Sequence, residues 1–405
     1  MSDAAAVSDA PLFNPLSPEF RQNPYPAYHL LRVSDPWHAS PFGFRVATRY
    51  EDVAFVLRDR RFIKGFVESL EARGTDPNEP IFKFLGETML LLNPPDHTRL
   101  RGLVVKVFTA RRIEEMRPRV QTIVDKMIDG FADKGSTDLI SEIAFPLPFT
   151  VICEMLGVPE GERDILMQRS LFSGRALDPV PMTREELDGA NTNIQLMQDY
   201  FLKLCEERRQ NPGDDLITAL VHAEEEGDVL SSEELVSNII LLFLAGHETT
   251  VNLIGNGLLA LFNNRDQLEL LKSDYSLSQN AIEELLRYDS SVQISGRTAS
   301  EDIEVGGVVI EKGEQVITAL GAANRDPAVY DNPDKLDITR KNIKPLSFGG
   351  GIHHCIGAQL ARLEADVAIP ALLKRLPNLE LDDPENPQWR PVFTLRGLAT
   401  LPAHW

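Results

Sequence analysis

Residues 347 to 363 decide the reading: Ser347-Phe348-Gly349-Gly350-Gly351-Ile352-His353-His354-Cys355-Ile356-Gly357-Ala358-Gln359-Leu360-Ala361-Arg362-Leu363, a glycine-rich loop that runs through a cysteine into a helical pattern. The glycines let the backbone approach a bulky ligand closely. Free backbone N–H groups and the positive end of the helix dipole favour a thiolate over a thiol at Cys355. Cys355 is therefore a candidate nucleophile or metal ligand. Zinc fits poorly, because the adjacent His353, His354 and Cys355 cannot all converge on one ion and no second Cys or His cluster has ligand spacing. A nucleophilic cysteine would need an orienting histidine paired with Asn or Asp. The other two cysteines, Cys153 and Cys205, sit in apolar helical runs and behave as small hydrophobes.

About a hundred residues upstream, Ser231-Ser232-Glu233-Glu234 forms a capping box, and helical residues continue to about Phe262. That is a rod of roughly 45 Å at 1.5 Å per residue, long enough to thread a whole core. Its first half is apolar on every side, the pattern of a buried helix. Gly246-His247-Glu248-Thr249-Thr250 then interrupts before Val251, Leu253 and Ile254 resume. A glycine costs about 1 kcal/mol in a helix interior, and a threonine hydroxyl can bond back to a preceding carbonyl, so the helix ladder is weak there. A buried Glu248 needs a partner, a water chain or a raised pKa, which are also the properties of a proton-delivery residue.

Composition excludes several classes of function. The chain has 405 residues, 43% hydrophobic and 25% charged, which rules out a disordered or collagen-like chain. Lys+Arg 41 against Asp+Glu 61 gives a net charge of -20, a field that repels nucleic acid and anionic lipid. Three cysteines cannot build a disulfide framework and fit a reducing compartment. The N-terminal MSDAAAVSDA lacks the pattern of a signal peptide, and the longest apolar stretch, Ile239 to Ala245, is far short of the roughly 20 residues a membrane span needs. A soluble cytoplasmic protein is expected, with no membrane or nucleic-acid partner.

Prolines and glycines are scattered, so no domain boundary is visible: residues 1–405 read as a single domain, with 1–20 a flexible N-terminal segment. Helical periodicity dominates from about Pro94 to Asn263. Strand signals are confined to Phe44–Ala47, Ile303–Ile310, Gln315–Ile317 and, weakly, the C-terminus, with hairpin turns at Gly306-Gly307 and Lys312-Gly313. The fold class is mainly α with small β-sheets.

Phe348-Gly349-x-Gly351-x-His353-x-Cys355-x-Gly357 together with Ala245-Gly246-x-Glu248-Thr249-Thr250 resembles the haem-binding and oxygen-binding signatures of the cytochrome P450 family, soluble bacterial type. Glu284-Leu285-Leu286-Arg287 resembles the family's Glu-x-x-Arg, and Arg340 the arginine that completes its ion-pair triad. On a helical wheel Glu284 and Arg287 point away from Ile282, Leu285 and Leu286, so the pattern alone reads as a solvated pair. Asn23-Pro24-Tyr25-Pro26, His97-Thr98-Arg99-Leu100-Arg101, Arg297-Thr298-Ala299 and Ala323-Asn324-Arg325-Asp326-Pro327 match in order, so the resemblance covers nearly the whole chain. It implies one triangular-prism domain. Pro370 falls inside the helix after Cys355 and should kink or end it.

What the resemblance implies is a monooxygenase that activates O2 and hydroxylates a hydrophobic small molecule. The cofactor would be haem b, its iron ligated by the Cys355 thiolate. His97, Arg101, Arg297 and His353 would bind the haem propionates, and Ala245, Gly246, Thr249, Phe348, Gly349 and Gly357 would complete the cofactor site. Thr249 would hold dioxygen and an ordered water while Glu248 relays protons. Substrate would lie against Leu241, Leu244, Ala245, Val292, Ile294, Thr394 and Leu395, the loop from about Phe62 to Leu92, and the span from about Leu171 to Met182; Arg175 or Gln293 are candidates for its polar end. Electrons would come from a separate ferredoxin or flavodoxin with its reductase. Arg99, Arg101, Lys106, Arg111 and Arg112, with Arg362, are a candidate basic patch for that acidic partner. The chain is expected to be a monomer.

Overall fold

The computed structural model describes residues 13–169, 174–225 and 231–405. Its centre is the helix Ser232–Asn263, and the capping box read from the sequence is present: the Ser231 hydroxyl accepts from the Glu234 N–H while the Glu234 carboxylate accepts from the Ser231 N–H. Nearly every residue from Leu235 to Phe262 is buried, as an all-round apolar helix requires. It is the one helix among the described residues long and apolar enough to span a bilayer, and it lies inside the core. Helices Pro146–Leu156, Arg184–Gln210, Ser278–Tyr288 and Ala358–Arg375 pack around it.

Beside this helical mass lies a five-stranded sheet in the order Trp37–Ala39, Arg45–Ala47, Gln315–Ala319, Ile294–Ala299, Phe62–Ile63. Only the pairing of Arg45–Ala47 with Gln315–Ala319 is parallel. The sheet thus fastens the early part of the chain to the late strands Ile294–Ala299 and Gln315–Ala319, which precede the cysteine loop. A second sheet joins Ser136–Asp138, Pro402–His404 and Glu380–Leu381, and Ile303–Val305 pairs with Val308–Ile310 in a hairpin. Gly306 and Gly307 have φ of 57° and 78° in that turn, the left-handed conformation expected there.

Three expectations change. Strand Ile294–Ala299, the partner of Gln315–Ala319, carries no strand signal because Gly296 and Arg297 break its alternation. Helix Ala358–Arg375 runs through Pro370 without ending; Pro370 is buried, and packing of the flanking Val367, Ala368 and Leu372 offsets the lost N–H bond. Residues 1–12 of the expected flexible segment lie outside the described residues, whereas Phe13 is fully buried, with Phe20, Phe44 and Phe393 edge-on around its ring.

Candidate active site

Helix Ser232–Asn263, the cysteine loop and the five-stranded sheet enclose a cavity of about 410 Å³. The Cys355 side chain opens onto it. The loop that carries this residue is pinned at both ends: the Cys355 N–H donates to the Phe348 carbonyl at 2.9 Å, and Gly351, at φ 64°, lies so close to helix Tyr50–Arg58 that a Cβ would collide with the Leu57 carbonyl oxygen. The backbone N–H groups of Gly357 and Ala358, with Arg101 and Arg362, draw the thiol pKa down. Burial outweighs them and leaves it raised, contrary to the expectation from the helix terminus alone. A facing cation is what would make a thiolate stable here, and a metal ion supplies one.

Across the cavity stand Ala245, Gly246, Glu248 and Thr249. The back-bonding expected of the threonines is present: Thr249 Oγ1 donates to the Ala245 carbonyl at 3.0 Å, and Thr250 Oγ1 reaches the Gly246 carbonyl at 3.5 Å. Glu248 is 6% exposed, and the partner its burial demands is Arg390, whose Nη2 lies 2.8 Å from Oε1. That contact has the distance of an ion pair without hydrogen-bond alignment. Burial pushes the Glu248 carboxyl up, and Arg390 pulls it partly back. Arg390 is 142 positions away in a loop of no distinctive pattern, so sequence reasoning had no signal for it. His247 packs edge-on against Phe145 at 4.3 Å and Phe149 at 5.6 Å, and burial pushes it down to about 4.

At one end of the cavity Arg101, Arg297 and His353 converge, as expected, and Lys64 joins them; His97 is buried against His353 and does not itself line the cavity. The His97 and His353 rings lie 4.2 Å apart, and both His97 nitrogens are buried without a hydrogen-bond partner. Arg297 Nη1 donates to Ser295 Oγ and the Gly296 carbonyl, and Arg101 Nη2 to the His354 carbonyl. Lys64 is 8% exposed. Burial and mutual repulsion hold His353 down to about 2, and burial holds Arg297 down to about 10. Among the described residues none of the five makes an ion pair. So many cationic or N–H-donating groups without an acid form a seat for a ligand bearing carboxylates. With a cavity-facing thiol beside them, the donor set fits haem b: sulfur for iron and cations for two propionates.

The seven proposed substrate contacts, Leu241, Leu244, Ala245, Val292, Ile294, Thr394 and Leu395, all line the cavity, as do Phe66, Phe84, Leu85 and Met89 from the loop region and Ala176, Leu177 and Asp178 from the second span. Residues 171–173 of that span lie outside the described residues. Arg175 and Gln293 do not line the cavity: Arg175 is spent on Glu186 and the Val180 and Pro181 carbonyls, and Gln293 on the Ser290 carbonyl.

Glu284 and Arg287 are both fully buried, which overturns the solvated pair that the helical wheel indicates. Arg287 uses all five of its N–H donors: Nε and Nη2 on the two Glu284 oxygens at 2.7 and 2.8 Å, and the rest on the Asn324, Pro333 and Lys335 carbonyls. Arg340 Nε completes the triad at 3.1 Å. Asn324 carries the clamp onward. Its Oδ1 accepts from the Leu346 N–H and its Nδ2 donates to Ser347 Oγ, immediately ahead of the cysteine loop.

The basic patch is weaker than its sequence suggests. Arg99 pairs with Glu234, Arg111 with Glu115, and Arg362 with Glu283 while lying over the Phe348 ring. Their charge is neutralised by acids that are distant in sequence or one helical turn away.

Comparison with known proteins agrees with this geometry. A family model described as Cytochrome P450 matches residues 44–398. A putative cytochrome P450 133B1 of Xylella fastidiosa (strain 9a5c) is 44% identical over 387 residues, covering 95% of this chain and 96% of that one. The vitamin D(3) 25-hydroxylase of Pseudonocardia autotrophica is 44% identical over 391 residues, 95% of this chain and 94% of that one. Among solved structures, P450BioI in complex with an acyl carrier protein ligated by hexadec-9Z-enoic acid superposes with a TM-score of 0.89 at 39% identity, covering 96% of this chain and 100% of that one.

Proposed function

The chain belongs to the cytochrome P450 family, a haem-thiolate monooxygenase family whose iron is held by cysteine, and on that premise we propose how its own residues divide the work. The observation that carries the proposal is the single cavity shared by the Cys355 thiol, the Glu248 and Thr249 pair and the cluster of cationic and histidine side chains. Cys355 is the iron ligand. His97, Arg101, Arg297 and His353, with Lys64 as a fifth, hold the haem carboxylates by charge-assisted bonds. Phe348, Gly349 and Gly357 form the wall on the sulfur side, and Ala245 and Gly246 leave room on the opposite side. The triad of Glu284, Arg287 and Arg340 fixes the cysteine loop through Asn324.

When bound, haem supplies a redox-active iron for the reduction of dioxygen, with thiolate ligation favouring O–O cleavage. Thr249 donates its hydroxyl hydrogen to the Ala245 carbonyl, so its oxygen is left to accept a hydrogen bond from water and hold that water in the cavity. Glu248 stores and passes protons: burial favours its neutral form, Arg390 its ionised form, and the balance lets it cycle between them. Leu241, Leu244, Ala245, Val292, Ile294, Thr394 and Leu395 exclude bulk water and orient an apolar small molecule. The molecules named for the relatives, vitamin D(3) and a hexadec-9Z-enoic acid ligated to an acyl carrier protein, support an apolar substrate. Electrons come from a ferredoxin or flavodoxin with its reductase, and the enzyme works as a monomer in the cytoplasm.

Turnover under isotopically heavy dioxygen tests this reading, using a ferredoxin, its reductase and an apolar ligand selected by its spin-state shift. One heavy oxygen atom in the product is expected. Reductant consumption without labelled product would overturn it.

A further inference from the structure

Among the described residues two acids line the cavity, and both are already engaged. Glu248 faces Arg390, and Asp178 accepts from the Phe393 and Thr394 N–H groups. Lys64, Arg101 and Arg297 belong to the end that holds the cofactor. Among the described residues one lining cation remains, Arg73, which closes the short helix Phe66–Ala72 beside Phe66, Phe84, Leu85 and Met89. Its side chain is half-buried, and burial with no acid nearby lowers its pKa.

Among the described residues, all of the Arg73 side-chain hydrogen bonds go to one residue. Nε donates to the Ser69 carbonyl at 3.0 Å and Nη2 to Ser69 Oγ at 2.9 Å. The guanidinium is held in a fixed direction, and among the described residues Nη1 has no partner. Ser69 Oγ is already an acceptor here, so its own O–H is left to donate. Ser69 lines the same cavity. A fixed guanidinium edge beside a free hydroxyl, set in an apolar wall, is the donor arrangement that a carboxylate requires. An apolar cavity that tolerates an unpaired cation is costly unless a ligand completes it.

We propose that the substrate of this enzyme is an apolar molecule with a carboxylate end, which Arg73 and Ser69 bind while its apolar body extends along the cavity. This deepens the monooxygenase reading and rests on it. It makes Arg73 a specificity determinant that favours anionic over neutral molecules of the same shape. A charge-assisted bond to a buried carboxylate is worth about 1.5–3 kcal/mol, or roughly tenfold to a hundredfold in affinity.

The test compares dodecanoic acid with dodecan-1-ol on the purified haem-loaded enzyme at neutral pH, measuring dissociation constants by calorimetry alongside the spin-state shift. The wild type is expected to bind the acid at least about tenfold tighter. In Arg73→Gln that preference should fall to near parity, in Arg73→Lys part of it should survive, and Ser69→Ala should lose a smaller share. Equal affinities in the wild type, failure of the acid to bind, or an undiminished preference in Arg73→Gln would each overturn the proposal. The reduced, carbon-monoxide-bound spectrum is recorded first for every variant. A wild type without the thiolate band would instead break the cofactor assignment; should Arg73→Gln fail to load haem, Arg73→Lys and Ser69→Ala decide.

Discussion

Replacing Arg287 with lysine keeps the charge and removes the geometry. In the native protein its five donors meet two Glu284 oxygens and three backbone carbonyls, with no exposure to water. An ammonium offers three donors from one point, so at least two buried acceptors lose their partner, at about 1–3 kcal/mol each. Two such losses make about 2–6 kcal/mol in all, and because Arg340 still faces Glu284 at 3.1 Å the carboxylate is not left without a cation, which keeps the loss in the lower half of that range, about 3 kcal/mol. Native stabilities are about 5–15 kcal/mol, so this is a large share. The same clamp reaches the cysteine loop through Asn324, and haem retention should weaken with it. Urea unfolding of the holoenzyme, followed by circular dichroism and haem absorbance together, should show both midpoints lowered. The control is Arg111→Lys, whose side chain is 89% exposed and pairs only along its own helix, with an expected change under about 0.5 kcal/mol. Coincident midpoints for the two variants would refute the claim that the buried fork anchors the loop.

Thr249→Ala should uncouple turnover, sending reducing equivalents to hydrogen peroxide; a peroxide assay that finds coupling unchanged would remove Thr249 from oxygen handling. Lys64→Met should speed haem transfer to excess apomyoglobin by about tenfold or more, the worth of one charge-assisted bond, and an unaltered rate would exclude Lys64 from the carboxylate seat. His247 is held neutral by burial, with its pKa moved from 6.5 to about 4. The unfolded chain therefore binds more protons between those values, and stability should fall as pH drops through that window. Acid titration of His247→Gln should show a shallower fall there, and an identical slope would show that His247 does not contribute.

The parts of this account that the sequence revealed are those written in contiguous residues. The central helix announced itself through an unbroken apolar run behind a capping box, and the cysteine loop through glycines spaced around one thiol. Arg390 and Lys64 gave no signal, because each acts by arriving from a distant segment beside a group that needs its charge. The helical wheel misplaced Glu284 and Arg287 for a related reason: it sees one helix, whereas the segment from Asn324 to Arg340 folds over the face it takes to be open. Strand Ile294–Ala299 is strand only because Gln315–Ala319 offers it a partner, a tertiary fact that overrides its weak local pattern.

The most direct measurement is the absorption spectrum of the reduced, carbon-monoxide-bound protein, recorded for the wild type and for Cys355→Ala. A strongly red-shifted Soret band that vanishes in the variant is the predicted result. A band at the position of imidazole-ligated haem in the wild type, or a spectrum indifferent to the loss of the sulfur, would contradict thiolate ligation at Cys355.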